Sequence, residues 1–531
     1  MAPSPTAPAK GRKTWFRWCL RWSVRSVVGL ALLIVLFYLE EDWRGAHAWA
    51  QAQAEIEAQG ISLDPQTYIP PPVPDAENFG VLPIFQGATV FDPADSRQQS
   101  PDALTKALKD ISSNISSSKE QSSSPDHLPY LGNWQKGELP DLPAIQKQLE
   151  EFCHHQTPEL QIPSDAKPID IFKLLCPTLT DLREANTSHP VCRFNLDCSI
   201  QTPRSMSLGP ITNQIMLAKV LSYEERLAFL SDQPDLALDD LKISWKIDLG
   251  LRNEPLLVSG LVSLGVVAIQ LAVVNQGLGE HIWNDHQLAA LDDDLGNIDC
   301  LKESLLAIRG DTTVFLIPTG DYYKDHRYAM MKALLMKGTV FEHEADWQDY
   351  FIQAIFGLTP NGWYDRFTAD CAKYNLLETV RMVDPSSRRV FPDREKDALS
   401  SIGDSSSTDW WRQYVSSVVE PIFNSIRKFS YGQVQIDETR IACRLERFRI
   451  AHGSYPDSLS MLVPVYGTDL PHDIMNGEPY HYKLNGDGTY MLYSVGWDQK
   501  DDGGQLGTKS PYHSTDNLDW IWTNYPDLVK K

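Results

Sequence analysis

Two apolar runs in an otherwise acidic chain constrain its fold more than any other feature. The first, from Ser26 to Leu39, is preceded by Lys10, Arg12, Lys13, Arg17, Arg21 and Arg25 and followed at once by Glu40, Glu41 and Asp42. Basic residues on the near side and acids on the far side form the pattern of a signal anchor, because retained positive charge sets the orientation of a first membrane helix. The pattern predicts a basic cytoplasmic tail over 1–25, a membrane span over 26–39 and export of the rest. Trp15, Trp18, Trp22 and Trp43 stand where interfacial aromatics belong at the two membrane edges. A cleaved signal peptide is the alternative, since Ala46-His47-Ala48 has the small-residue spacing of a cleavage site. The acids between the apolar core and that site favour the anchor.

The second run, from Leu256 to Val274, carries no charge and is apolar enough to cross a membrane. Ser259, Gly260, Ser263, Gly265 and Gln270 interrupt it, it lies among amphipathic segments, and its flanks show little excess of Lys or Arg. Those features favour a buried central helix over a second span. The choice is topological, because a second span returns the C-terminal end to the cytoplasm.

A chain of 531 residues has room for two or three domains. Its net charge of -22 lacks the clustered Lys and Arg that a nucleic-acid footprint needs, which argues against DNA or RNA as a partner. The eight cysteines include no C-x-x-C pair, so neither a zinc ribbon nor a thioredoxin signature is present. Cys192 and Cys198 are close enough to bridge in an oxidising compartment, and Cys153-His154-His155 offers soft and imidazole ligands; free buried cysteine is the commoner fate.

Residues 40–138 read as a helical stalk over 43–58 stopped by Gly60, a stiff strap at Tyr68-Ile69-Pro70-Pro71-Pro72-Val73-Pro74, and a disordered Ser- and Gln-rich linker from Ser96 to Pro129. Residues 139–385 carry helical periodicity and outline a repeat-like array of helical hairpins without a true repeat. Within it, Leu288 to Ile308 reads as one helix, N-capped by Asp285 and stopped by Gly310. A polar loop over 386–412 precedes a helix from Arg412 to Lys428, and 413–531 forms the terminal module. The fold class is mainly α, with a small α+β end.

In that end, Val434, Ile441, Leu445 and Phe448 share one helical face. After Ala451-His452-Gly453-Ser454-Tyr455-Pro456 come two strands, Tyr480-His481-Tyr482 and Tyr490 onward, joined across Asn485-Gly486-Asp487-Gly488. The segment closes on Gly496-Trp497-Asp498-Gln499-Lys500-Asp501-Asp502-Gly503-Gly504, whose carboxylates are hard oxygen ligands of the kind calcium takes. From Gly477-Glu478-Pro479-Tyr480 through Tyr493-Ser494-Val495-Gly496 the segment resembles the C-terminal half of the major pseudopilin of type II secretion. In that family the sheet leads into a calcium-binding loop, so the resemblance implies Asp498, Asp501 and Asp502 as ligands. The Gly-Phe cleavage motif and fifth-position Glu of a pseudopilin are missing from the first helix, and several hundred residues separate that helix from the module, which argues against a pilus subunit.

The whole arrangement, with its Glu41-Asp42-Trp43-Arg44-Gly45 exit, proline strap and terminal module, is similar to large uncharacterised membrane-anchored proteins of planctomycetes and verrucomicrobia. These features together predict a single-pass protein of a bacterial inner membrane, N-terminus cytoplasmic and bulk periplasmic, that touches lipid through its first helix. The leading function is a non-enzymatic envelope scaffold contacting other proteins. One rival is an extracytoplasmic hydrolase using Asp285, His286, His343 and Glu344; another is an accessory of a type II secretion or pilus-like system. No metalloprotease, nucleophile-elbow, phosphate-loop or dinucleotide fingerprint occurs in a fitting context.

Overall fold

A computed structural model describes residues 11–86, 103–133, 138, 140–194, 209–325, 359–395, 410–505 and 518–522. The described residues are mostly helical. They fall into two compact units that interleave along the chain: Met1–Ile61 with Ile317–Ala372, and Ser62–Leu316 with Lys373–Lys531. The sequence reading cuts the chain at 139, 386 and 413; the units divide it elsewhere, because helices distant in sequence share one core.

In the first unit, helix α1 spans Gly11–Ala58 without a break. Its apolar stretch is solvent-facing throughout, and Leu33, Leu36 and Leu39 are each about three-fifths exposed. This is an N-terminal apolar helix of the kind that anchors a chain or serves as a signal. Arg44 pairs back to Glu40 at 2.8 Å and Glu41 at 3.2 Å, and the helix stops where Gly60 takes φ +74°.

In the second unit, helix α2 (Ala103–Asn114) packs on α6 (Gly209–Leu230), and the loop after it is held by Ser116 Oγ donating to the Leu128 carbonyl at 2.6 Å. Leu128 is fully buried. The expected disordered linker is therefore folded from Ala103 to Pro129: Leu128 and Ser116 supply buried anchors that the polar composition hid. Residues 96–102 of that expectation lie outside the described residues. Helices α3 (Leu142–Gln156), α4 (Pro168–Leu175) and α5 (Thr178–Ser188) follow.

Helices α6, α7 (Pro234–Arg252) and α8 (Leu257–Gly279) pack mutually. Asp232 takes φ +60° in the turn between α6 and α7, and Pro234 opens α7 where its missing N–H is harmless. The stretch expected as one helix from Leu288 to Ile308 is two, α9 (Asp285–Gly296) and α10 (Cys300–Gly310). Asn284 caps α9 in a capping box with Gln287, and Asp299 caps α10 through the Lys302 amide, so Asp285 is the first helical residue and not the cap. In the first unit, α11 (Ile317–Asp325) and α12 (Asn361–Lys373) join α1.

Helix α13 (Trp410–His452) runs unbroken through Pro421, so the helix expected over Arg412–Lys428 continues straight into the terminal one. Val434, Ile441 and Leu445 are fully buried. α13 packs on α8, α9 and α10 as well as on the terminal sheet, which fuses the expected module with the helical middle. Strands β1 (Val383–Asp384) and β2 (Arg389–Val390) form a small hairpin in the expected polar loop, of which residues 396–409 lie outside the described residues.

The predicted terminal hairpin forms: β3 (His481–Leu484) pairs antiparallel with β4 (Tyr490–Ser494), Tyr482 opposite Leu492, and Gly488 supplies φ +84° in the turn. A third strand, β5 (Trp520–Trp522), completes the sheet beside β4. Trp522 stacks on Tyr490 with ring centres 5.5 Å apart, and its indole N–H donates to Asn275 on α8 at 3.2 Å.

Candidate functional site

The acidic loop after β4 binds itself. Asp498 accepts from the Lys500 amide at 3.1 Å, with the Lys500 ammonium 3.5 Å from its other oxygen. Asp501 accepts from the Tyr493 hydroxyl at 3.0 Å and the Gly503 amide at 2.9 Å, and His481 pairs with it at 3.5 Å. Asp502 gives its amide to Asp519, which also takes the Gly504 amide at 2.7 Å. The Gly503 amide, and after it the Tyr493 hydroxyl, hold the Asp501 carboxyl below its ordinary range. Lys500 stands beside Asp498 and His481 beside Asp501, so a calcium ion at these carboxylates would share them with the donors already present. Among the described residues no three His, Cys, Asp or Glu side chains gather as a metal cage.

The other sequence candidates are dispersed. Asp285 binds the Arg447 guanidinium at 2.8 Å, His286 is exposed, and His343 and Glu344 lie outside the described residues. Cys153 faces the core while His155 pairs with Asp126 at 3.2 Å on the surface, so the soft-ligand trio is not assembled. Burial pushes the Cys153 thiol up to about 12, which removes its thiolate. Cys192 is a free buried thiol, and Cys198 lies outside the described residues.

What the sequence reading missed is a cluster of acids inside the helical core. Glu224 and Glu225 on α6, Asp240 and Ser244 on α7 and Gln270 on α8 are all buried. Arg183 on α5 forks across two of them, donating from Nε and Nη2 to Asp240 at 2.8 and 2.9 Å and from Nη2 to Glu224 at 2.5 Å. With its amide oriented by its neighbours, Gln270 donates to Glu225 at 2.8 and 3.0 Å and accepts from Ser244 Oγ at 2.9 Å. One guanidinium cannot neutralise three carboxylates in a dry site. Burial first, and then the Asp240 charge, raise Glu224 to about 7 and Glu225 well above its ordinary value. The available signal was Glu224-Glu225 standing beside Leu221 and Leu227 in a helix with apolar residues on every side.

Similar pairing lines α8 elsewhere. Ser263 donates to the buried Asp248, Gln276 accepts from Arg226 at 2.9 Å, and Asn275 accepts from Thr439 at 3.2 Å. Between α13 and α9, Asp292 receives Arg440 at 3.0 Å and Arg444 at 2.7 Å. Glu446 accepts from His281, Arg449 and Tyr455; burial opposes its charge, but these donors hold it down to about 2. Chemically these are closed charge networks that fix helix positions.

The third feature lies where α1 leaves its apolar stretch. The Trp363 indole donates to Glu41 at 2.8 Å, and the Gly362 amide, at the start of α12, donates to Asp42 at 2.9 Å. The backbones touch: a Cβ on Gly362 would lie 1.8 Å from the Glu41 carbonyl oxygen, and one on Gly45 would lie 1.9 Å from the Gly362 oxygen. Lys324 of α11 binds Asp365 of α12 at 2.7 Å. The Glu41-to-Gly45 exit that stands out in the sequence is thus a docking point for α12.

No protein-family model, curated protein or solved structure matches the chain.

Proposed function

We propose that this protein is a membrane-anchored, non-enzymatic scaffold of a bacterial envelope, held by α1 and presenting its helical core and terminal sheet to protein partners. The observation that carries the reading is the contrast in how ionisable groups are used. Buried acids of the folded core pair with arginines, as Glu224 does with Arg183 and Asp292 with Arg444, while the apolar surface of α1 has no cover among the described residues. Asp285, one of the acids the hydrolase reading needs, is engaged by the Arg447 guanidinium. The polar side chains of α8 that meet other helices support a core helix, and on this reading α1 is the single span and the C-terminal sheet lies on the exported side.

Protease treatment of intact spheroplasts carrying an epitope after Lys531 tests this. Digestion from outside is expected; protection relieved only by lysis overturns the single-pass topology. The helix-then-antiparallel-sheet order of 410–494 gives a second reading its support, an accessory of a type II secretion or pilus-like system. Co-purification with pilin-like or secretin components is the result that reading requires.

A further inference from the structure

We propose that the first turn of α12, with Trp363 and Tyr364, is a second membrane contact, seated in the lipid headgroup layer beside the exit of α1. The inference rests on the reading of α1 as a membrane span.

Leu39 is the last strongly exposed aliphatic residue before the acids of α1, and Glu40, Glu41 and Asp42 follow it. Each acid placed at the bilayer centre costs roughly 2.5–3.5 kcal/mol, so the hydrocarbon boundary falls near Leu39. At about 1.5 Å of rise per residue, Glu41 and Asp42 lie only ~3–5 Å beyond it, inside a headgroup layer of roughly 5–7 Å. Gly362 and Trp363 are hydrogen-bonded to those two residues, and Gly362 meets their backbone directly. Helix α12 therefore starts at the depth of the headgroups and has no room to start elsewhere.

The side chains suit that depth. Trp and Tyr carry an apolar ring and a polar edge, the combination enriched where bilayer meets water. Trp363 turns its indole N–H to Glu41 at 2.8 Å. Tyr38 precedes Glu41 by three residues on α1, Tyr364 follows Trp363 on α12, and Trp43, two residues beyond Glu41, is two-thirds exposed. The partner is a phospholipid surface, and the contact fixes how α11 and α12 stand on it through the Lys324 to Asp365 ion pair.

An environment-sensitive fluorophore on one introduced cysteine at a time in the full-length protein, in a Cys19→Ser, Cys198→Ser background whose other six cysteines are buried, tests the placement in phosphatidylcholine–phosphatidylglycerol vesicles. Arg366→Cys labels exposed α12, Leu33→Cys labels the apolar stretch, and Glu57→Cys labels α1 about 27 Å beyond Leu39. Expected are quenching of Leu33 by a nitroxide deep in the acyl chain, and quenching of Arg366 by a headgroup nitroxide at least twofold above Glu57. If Leu33 is quenched and Arg366 behaves as Glu57 does, the interfacial placement is overturned and the anchor stands. If Leu33 is not quenched, the anchor reading falls and takes this inference with it. A Gly362→Val change, which drives α12 off Glu41, is expected to lower the Arg366 signal and leave Leu33 unchanged; an unchanged Arg366 signal would show that the Gly362 contact does not set its depth.

Discussion

Helices α1 and α8 are alike by composition and opposite by circumstance. Their most apolar 18-residue windows have mean hydropathies of 2.0 and 2.4, so α8 is the more apolar; yet none of the α1 window is buried and half of the α8 window is. The difference lies in what stands opposite the polar residues. Ser263, Gln270, Asn275 and Gln276 of α8 each meet a side chain on another helix, whereas Val27 to Phe37 of α1 carries no polar side chain to satisfy. Hydropathy measures what a helix would gain by leaving water, and its neighbours decide whether it leaves into lipid or into protein.

The largest effect expected from this comparison follows deletion of residues 1–39. The shortened chain should move from the carbonate-washed membrane pellet to the supernatant, a shift of more than tenfold, and retention in the pellet would return α8 to the status of a span. Next comes Gln270→Leu, which makes α8 still more apolar but leaves Glu225 buried without its amide. Loss of one partner of a buried charged group predicts ~2–4 kcal/mol lower stability in urea unfolding. A lipid-facing helix would tolerate the same change, as Leu33→Gln in α1 should leave that unfolding transition in place.

Two glycines sharpen the contrast. A Cβ at Gly277 would lie 2.2 Å from the Trp283 indole nitrogen, while nothing lies within 4 Å of one at Gly29. Overpacking predicts that Gly277→Ala lowers stability by about 1–3 kcal/mol, whereas Gly29→Ala improves helix propensity and costs nothing. Matching melting temperatures for the two variants would contradict the burial of α8.

The smallest effect is in pH. Glu224 is raised to about 7 in the fold and returns to its ordinary range near 4.5 when unfolded, so the folded state holds the extra proton. Its contribution is full below pH 4.5 and is lost as pH rises through 7, with a slope of at most ~1.4 kcal/mol per pH unit for one proton. Urea midpoints measured between pH 5 and 8 should therefore fall, and Glu224→Gln should flatten the decline. A midpoint that rises over that range would contradict the direction.

Legibility in the sequence followed the range of the forces involved. The terminal hairpin was readable because alternation of Tyr482, Leu484, Tyr490 and Leu492 and the glycine at 488 act within a dozen residues. β5 was not, since Trp520-Ile521-Trp522 finds its place only by pairing with Leu492 to Ser494. The break between α9 and α10 was hidden because Asn284 and Asp299 cap through side chains whose geometry periodicity does not carry. The acidic loop was legible as a cluster of charges, but its internal amide bonds were not, and neither was the Arg183 cluster, whose members come from three helices between residues 183 and 240.

By itself the sequence determined the mainly helical class, the apolar N-terminal helix with its charge asymmetry, and the hairpin near the C-terminus, because each depends on spacing along a short stretch of chain. Only the tertiary structure decided that half of the apolar window of α8 is buried, that α13 belongs to the middle and the terminal sheet alike, and that the α1 exit docks on Gly362 and Trp363. Those outcomes turn on pairings across tens to hundreds of residues, where burial leaves a polar group its partner or leaves it none, and composition does not say which.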